Sequence, residues 1–504
     1  MYLKSLLAKP FANYIYNKTK KWAATAVEDQ ETLMKSLVKA AKSTEFGKEH
    51  KFESIQSYEN FTQQVPLRDY EDIKPYVDRI KEGKHNVLWK GKPIYFAKTS
   101  GTTSGIKYIP ITKDSIPNHI DTARDALLCY MAQTGNTGFS NGKLIFLSGS
   151  PELERVGGIP TGRLSGIVNH HVPRYLRSNQ LPSYETNCIE DWETKLDKIV
   201  EETIDQDMTL ISGIPPWIQM YFDRIMSLTG KKIGDVFKNL SVLVYGGVSF
   251  EPYRSRLAES VGRPVDSIEV FPASEGFFAF QDTQDAAGLL LNTDSGVFYE
   301  FVPANEIHNS SPTRITLKDV ELNENYALIV SNNAGLWGYN VGDTVKFISK
   351  DPYRILITGR TKHFISAFGE HVIAEEVEDA LMKAASEEGI KVVEFSVAPM
   401  VAQAEGKSYH EWLIEFEELP KDLDALAFKI DDNLRKKNIY YDDLISGNIL
   451  SRLKIVPVRK NGFIDYMKSI GRLGGQNKLA RLSNDRKIAE DLLDYAMPMK
   501  EAEQ

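Results

Sequence analysis

Cysteine is nearly missing: Cys129 and Cys188 are the two in 504 residues. They lie too far apart for a disulfide framework or a thiolate metal site, so a reducing, cytoplasmic setting is expected. Long apolar runs are missing too, and no segment approaches the roughly 20 residues that span a bilayer. There is no excess of basic charge. The 61 Lys and Arg against 69 Asp and Glu leave a net charge of −8, which argues against non-specific nucleic-acid binding. No stretch resembles an RNA or DNA module, and neither internal repeats nor low-complexity tracts occur. The N-terminal stretch sets Lys4, Lys9, Lys18, Lys20 and Lys21 among Leu, Phe and Tyr without the apolar centre of a secretory signal. An amphipathic helix packed on the core is expected there.

What remains, 42% hydrophobic and 26% charged residues, is a globular composition, and the length predicts two or more domains. From residue 30 to about 90 the pattern is helical, with Leu33, Leu37 and Ala40 at helical spacing. From about 140, the β-rich runs Lys143–Leu147, Met208–Ile211, Val242–Tyr245 and Ile268–Phe271 alternate with amphipathic helices and end in Gly, Ser or Pro. That is the pattern of an α/β fold with a mostly parallel sheet, whose ligands sit beyond the carboxyl ends of the strands. Closely spaced runs follow at Phe298–Val302, Ala327–Val330, Thr344–Ile348 and Arg354–Ile357, as in a β-barrel-like subdomain. After Gly359-Arg360 the texture becomes that of a compact α+β unit. A large domain over 1–360 and a small one over 361–504 are expected.

Five polar signals punctuate this frame. Thr99-Ser-Gly-Thr-Thr-Ser-Gly-Ile-Lys107 is a loop suited to polyphosphate oxygens. Its glycines let backbone N–H groups turn inward, Thr99, Ser100, Thr102 and Thr103 add donors, and Lys107 adds charge. It is not a Walker A loop, which has four residues between its glycines and Lys-Ser/Thr directly after the second. Tyr245-Gly246-Gly247-Val248 leaves a strand with two glycines, permitting a flat ring to approach the backbone. In Phe271-Pro272-Ala273-Ser274-Glu275-Gly276 the aromatic ring can stack on a purine while Glu275 holds Mg²⁺ beside phosphates and water. Asp343, after Gly342, can accept both hydroxyls of a ribose. Gly474-Gly-Gln-Asn-Lys478 presents a lysine near the end. Taken singly, each reads equally well as an ordinary turn, the Gly-Asp step as a hairpin.

In this order the residues resemble the adenylate-forming superfamily. Thr99–Lys107 is similar to its phosphate loop, Ala273-Ser-Glu275 to its aromatic-x-Thr/Ser-Glu element, Gly342-Asp343 to its ribose aspartate, and Gly359-Arg360 through Val377 to its hinge. Within the superfamily the chain resembles the auxin-responsive-promoter family of acyl-acid amido synthetases, a bacterial member being expected. Phe46-Gly-Lys-Glu-His50, Val65-Pro-Leu67, Gly213-Ile-Pro-Pro-Trp217 and Gly462-Phe463 through Arg481 carry that likeness. It departs from the plant members before the aspartate, where Trp337-Gly-Tyr-Asn340 replaces a segment with two arginines.

The resemblance implies an adenylate-forming α/β fold with a mobile C-terminal domain, and ATP and Mg²⁺ as cofactors. It implies nucleotide contacts from Thr99, Ser100, Thr102, Thr103, Lys107, Tyr245–Val248, Phe271–Ser274, Asp343 and Arg360, with metal at Glu275 and Lys478 at the α-phosphate. The implied reaction joins a small carboxylic acid to AMP and passes the acyl group to an amino acid or other amine. Arg124, His170 and Trp217 are expected in the acyl pocket, with His171 beside them. A thioester-forming ligase and a non-catalytic nucleotide sensor are the alternatives.

Overall fold

The computed structural model describes residues 2–100, 106–172, 177–247, 250–307, 309–361, 364–370, 372–402, 407–470 and 481–497. The chain divides into two compact units. One comprises Met1–Lys98, Tyr108–Ile189 and Thr194–Thr361; the other comprises Lys362–Gln504 with the short segments Thr99–Lys107 and Glu190–Glu193.

Strands are numbered along the chain. In the first unit β1 (Tyr95–Ser100), β2 (Ile106–Ile111), β4 (Glu154–Val156) and β5 (Ile159–Gly162) form a small sheet in the order β2-β1-β5-β4. The main sheet begins with β3 (Lys143–Phe146), β6 (Gln180–Leu181), β7 (Met208–Gly213), β8 (Val242–Gly246) and β9 (Asp266–Ala273). These five are parallel, in the order β9-β8-β7-β3-β6. Long helices such as Trp192–Thr203 and Pro215–Thr229 connect them, as parallel strands require.

An antiparallel ribbon continues the sheet beyond β9. It comprises β10 (Gly276–Phe280), β11 (Leu289–Leu291), β12 (Val297–Pro303), β13 (Ile315–Thr316), β14 (Asn325–Asn332), β15 (Tyr339–Lys350) and β16 (Tyr353–Arg360), in the order β13-β12-β14-β15-β16-β11-β10. The expected β-barrel is thereby corrected. Among the described residues no pairing joins β13 back to the parallel strands, so the twelve strands form one open sheet. The ribbon nonetheless curls. The Tyr299 hydroxyl on β12 donates to the Asn292 carbonyl at 3.0 Å, and its ring packs edge-on against Phe278 of β10. The curl encloses a core of Phe278, Phe301, Leu328 and Phe347.

Two helices pack on this sheet through both apolar and polar contacts. The N-terminal helix Tyr2–Ala24 buries Ala12, Ile15 and Trp22 with residues of helix Ile116–Thr134, the core use expected of it. Helix Ala26–Ala41 carries the buried Gln30, whose amide donates to the carbonyls of Thr293 and Val297 and accepts from the N–H of Tyr299. Among the described residues no helix is long and apolar enough to cross a membrane. Both cysteines are free thiols, Cys129 buried.

In the second unit β17 (Phe364–Ile365) pairs antiparallel with β18 (Val372–Ile373). A three-stranded sheet follows from β19 (Val392–Met400), β20 (Tyr409–Phe416) and β21 (Lys454–Val458), with helices Ala374–Glu388 and Leu423–Lys437. Glu370 is fully buried; it accepts the Phe368 N–H and pairs with the buried His410 at 2.8 Å.

At the start of helix Ala374–Glu388 the Glu376 carboxylate accepts from the Ile373 N–H and the Asn438 amide. Burial pushes its carboxyl up to about 7, opposed by those two hydrogen bonds and by the charge of Lys107. The folded state therefore holds a proton that the unfolded chain, near 4.5, has released. The stability this gives is complete below the unfolded value and is lost as pH rises through about 7. Glu376→Gln is expected to remove that slope, so that thermal melts of variant and wild type diverge in the variant's favour from pH 5 to pH 8. A difference independent of pH contradicts the assignment.

Candidate functional site

Strand β9 is both the last parallel strand and the first antiparallel one. Ala273 pairs with Gly276, so Ser274 and Glu275 form a two-residue reversal at its carboxyl end, the edge where α/β sheets bind ligands. Two asparagines fix this turn. Asn118, in the first turn of helix Ile116–Thr134, accepts the Phe277 N–H at 2.6 Å and donates to the Phe277 carbonyl and to Ser295. Asn332, at the end of β14, donates to the Glu275 carbonyl at 2.8 Å. These positioning residues are not among those the sequence singles out, because each acts on backbone far along the chain, Asn118 across 159 positions and Asn332 across 57.

Asp343 lies within β15. Ala327 of β14 faces Thr344 and Ile329 faces Asn340, so Val341-Gly342-Asp343 stand opposite the single residue Leu328 as a bulge. Gly342 has φ +94°, which favours glycine, and the bulge re-aims the following side chain. This corrects the hairpin alternative for the Gly-Asp step. Asp343 faces Arg360 across the strands, with Oδ1 2.9 Å from Nε. Burial, then the Glu275 charge, drives the Tyr339 hydroxyl well above its ordinary range, with Arg360 opposing. Glu275 and Arg360, the partner of Asp343, thus both lie within electrostatic reach of Tyr339.

The segment that departs from the plant pattern is core. Trp337 is buried against Phe46, Phe52 and Trp89, and its indole N–H donates to the Leu88 carbonyl. His50 stacks on Phe46 and meets Arg68 at 2.7 Å, while the Arg68 N–H donates to the Gly338 carbonyl. The Phe46–His50 and Val65–Leu67 motifs therefore brace the approach to the bulge.

Several nucleotide candidates lie elsewhere than expected. Phe271 is buried edge-on against Phe278 in the core, so its ring is not a purine platform. Tyr245 is buried and stacks on Phe250 at 3.9 Å. A Cβ on Gly246 would lie 2.2 Å from the Val270 carbonyl oxygen, so this glycine serves strand packing. Gly247, at φ +82°, directly follows β8 and is exposed. Pro272, Ala273 and Ser274 are half-buried on the turn. Val248 lies outside the described residues.

Among the acyl-pocket candidates, Arg124 is held by two acids of its own helix, Asp121 and Asp125, at 2.8 and 2.7 Å. His170 and His171 diverge. His170 Nε2 meets the Pro151 carbonyl at 2.7 Å, whereas His171 Nε2 meets the Tyr95 hydroxyl at 3.1 Å. Burial, and secondarily His170, lower the His171 ring below its usual value. Trp217 is half-buried in the first turn of helix Pro215–Thr229.

Thr99, the penultimate residue of β1, and Lys107, the second of β2, are both half-buried and lie in the Thr99–Lys107 segment counted with the second unit. Thr102, Thr103, Lys478 and the side chain of Ser100 lie outside the described residues. Among the described residues no three His, Cys, Asp or Glu could together hold a metal.

Three domain models of one family match in order: the GH3 family N-terminal domain over residues 15–186, the central domain over 290–360 and the C-terminal domain over 375–487. The indole-3-acetic acid-amido synthetase GH3.3 of Arabidopsis thaliana is 22% identical, over 92% of this chain and 90% of its own. The jasmonoyl–L-amino acid synthetase JAR4 of Nicotiana attenuata is 22% identical over 57% of this chain and 60% of its own. Among solved structures, the GH3.15 acyl acid amido synthetase aligns with a TM-score of 0.60 at 15% identity, covering 96% of each chain. A 2-hydroxyisobutyryl-CoA ligase in complex with 2-HIB-AMP and CoA aligns with a TM-score of 0.53 at 13% identity, covering 96% of this chain and 92% of its own. These likenesses show the fold expected from the motifs, and with the three consecutive domain matches they make this chain a member of the GH3 family.

Proposed function

We propose that the protein is an ATP-dependent acyl-acid amido synthetase of the cytoplasm. The observation that carries this reading is that Glu275 and Arg360, the partner of Asp343, both lie within electrostatic reach of Tyr339, in a chain whose relatives are named amido synthetases.

In the first half-reaction a carboxylate oxygen of the acid attacks the α-phosphorus of ATP, and the bond to the β-phosphate oxygen breaks with release of pyrophosphate. Asp343 holds the ribose hydroxyls, its orientation fixed by Arg360. Thr99, Ser100, Thr102, Thr103 and Lys107 hold the phosphates, and Lys478, on the small domain 361–504, neutralises charge at the α-phosphate. Glu275 is the protein's ligand for Mg²⁺, which when bound offsets phosphate charge. Catalysis here is mostly positioning and charge neutralisation. In the second half-reaction an amine nitrogen attacks the acyl carbon, the bond to the AMP oxygen breaks, and the amine loses a proton to give the amide. Rotation about Gly359-Arg360 withdraws Lys478 and opens the acceptor's path.

Pyrophosphate exchange across a library of carboxylic acids tests the first half-reaction, and mass spectrometry of products with amino acids or coenzyme A tests the second. Amide product is expected; a thioester, or silence across the library with ATP still bound, contradicts the reading. Lys478→Ala is expected to lower exchange by about 10²- to 10³-fold with ATP binding retained, and normal exchange in that variant removes Lys478 from the mechanism.

Asp343→Asn, which keeps the side chain's shape but halves its acceptor capacity, is expected to raise the KM for ATP about tenfold or more, the cost of a lost charge-assisted hydrogen bond. Little change in the KM for the acid should accompany it. An unaltered KM for ATP places the ribose elsewhere.

A further inference from the structure

Between β3 and β7 the main sheet changes its direction of winding. From β3 the chain goes on to β6 at the edge, whereas β7 on the other side of β3 leads to β8 and β9. In open α/β sheets this reversal opens a crevice at the carboxyl ends of the two strands. The strand ends concerned here are Leu147-Ser148-Gly149 after β3 and Gly213-Ile214 where β7 ends.

A buried lysine sits at this point. Lys195, on helix Trp192–Thr203, is 2% exposed, and its ammonium donates to the Ser148 carbonyl at 2.9 Å and the Asn187 carbonyl at 2.7 Å. Both partners are neutral and leave one N–H of three uncommitted. The same two residues carry further unused capacity. Ser148 and Asn187 are 2% and 1% exposed, and neither the Ser148 hydroxyl nor the Asn187 side-chain oxygen has a hydrogen-bond partner among the described residues. A buried charge ordinarily pairs with an opposite charge, and buried polar atoms ordinarily bond. Burial pushes Lys195 down to about 8, opposed by Cys188 and reinforced by Arg163, and Arg163 also lies beside Gly149. Among the described residues the Lys195 ammonium meets neutral carbonyls only.

The geometry points to Lys195, with Ser148, as the recognition group for a second oxygen-bearing end of the acid substrate, a distal carboxylate above all. This rests on the amido synthetase reading for which end of the acid reacts. From β9, which carries the Glu275 turn, to β3 is three strand spacings along the same sheet edge, about 14 Å. Allowing for contacts at either end leaves about 9 to 10 Å, the span of an eight-carbon diacid.

The test compares suberate with octanoate, acids of equal length, in pyrophosphate exchange by wild type, Lys195→Met and Ser148→Ala. Wild type is expected to favour suberate in kcat/KM by about 10- to 100-fold, the worth of a charge-assisted hydrogen bond inside a closed site. In Lys195→Met the preference falls to about one with the KM for ATP unchanged, and in Ser148→Ala, which keeps the lysine, it falls partway. A wild-type preference for octanoate, or a ratio unchanged in both variants, overturns the proposal and leaves Lys195 as a tie between two loops. Calorimetric titration of suberate without ATP separates this from the adenylation reading. Saturable binding lost in Lys195→Met, with no exchange for any acid, sustains the lysine site and sinks the adenylation reading, whereas no binding to wild type sinks the site. Should Lys195→Met not fold, the Ser148→Ala titration decides.

Discussion

The arrangement depends on one constraint, the double duty of β9. It pairs in parallel with β8 and antiparallel with β10, so the chain must reverse tightly at its carboxyl end. That reversal puts Glu275 at the edge where a parallel sheet presents ligands. It also obliges everything after it to extend the sheet as an antiparallel ribbon, whose curl carries β14 and β15 back toward the turn. Asn332 bonding the Glu275 carbonyl records that return, because β14 stands four strands from β10 in the pairing order.

Polar groups inside an apolar frame set the precision of this arrangement. Asn118, Gln30 and Asn332 each use their side chains on backbone groups of the ribbon or its flanking loops. Replacing one by an apolar residue would leave backbone donors or acceptors buried and unmatched, at about 1 to 3 kcal/mol each. Glu300, fully buried, is satisfied by a two-pronged contact with Arg314 and by the Tyr58 hydroxyl, which ties the N-terminal helices to β12. Such contacts specify one register, and a carboxylate on a two-residue turn needs that specificity to be held in one place.

Much of this was legible in the chain because strand and helix patterns are local. Runs read at Met208, Val242, Phe298 and Arg354 all lie inside observed strands. Glu275 and Asp343 stood out by residue type and by order along the sequence. Features that escaped depend on contacts far apart in the chain. From the sequence the curled open sheet reads as barrel-like, because closure is decided by pairing between distant strands. Asp343 read equally as a hairpin because a bulge is visible only against its partner strand. Phe271 and Tyr245 looked like ring platforms until Phe278 and Phe250 covered them. Asn118 acts on a residue 159 positions away, and Lys195 acquires meaning only where β3 and β7 part.

The account comes down to whether Glu275 and Asp343 serve one nucleotide. A crystal structure with Mg²⁺ and a non-hydrolysable ATP analogue measures this directly. The account predicts the ribose hydroxyls on Asp343 and the metal between Glu275 and the phosphates. A nucleotide bound elsewhere, or one touching only one of the two carboxylates, would contradict it.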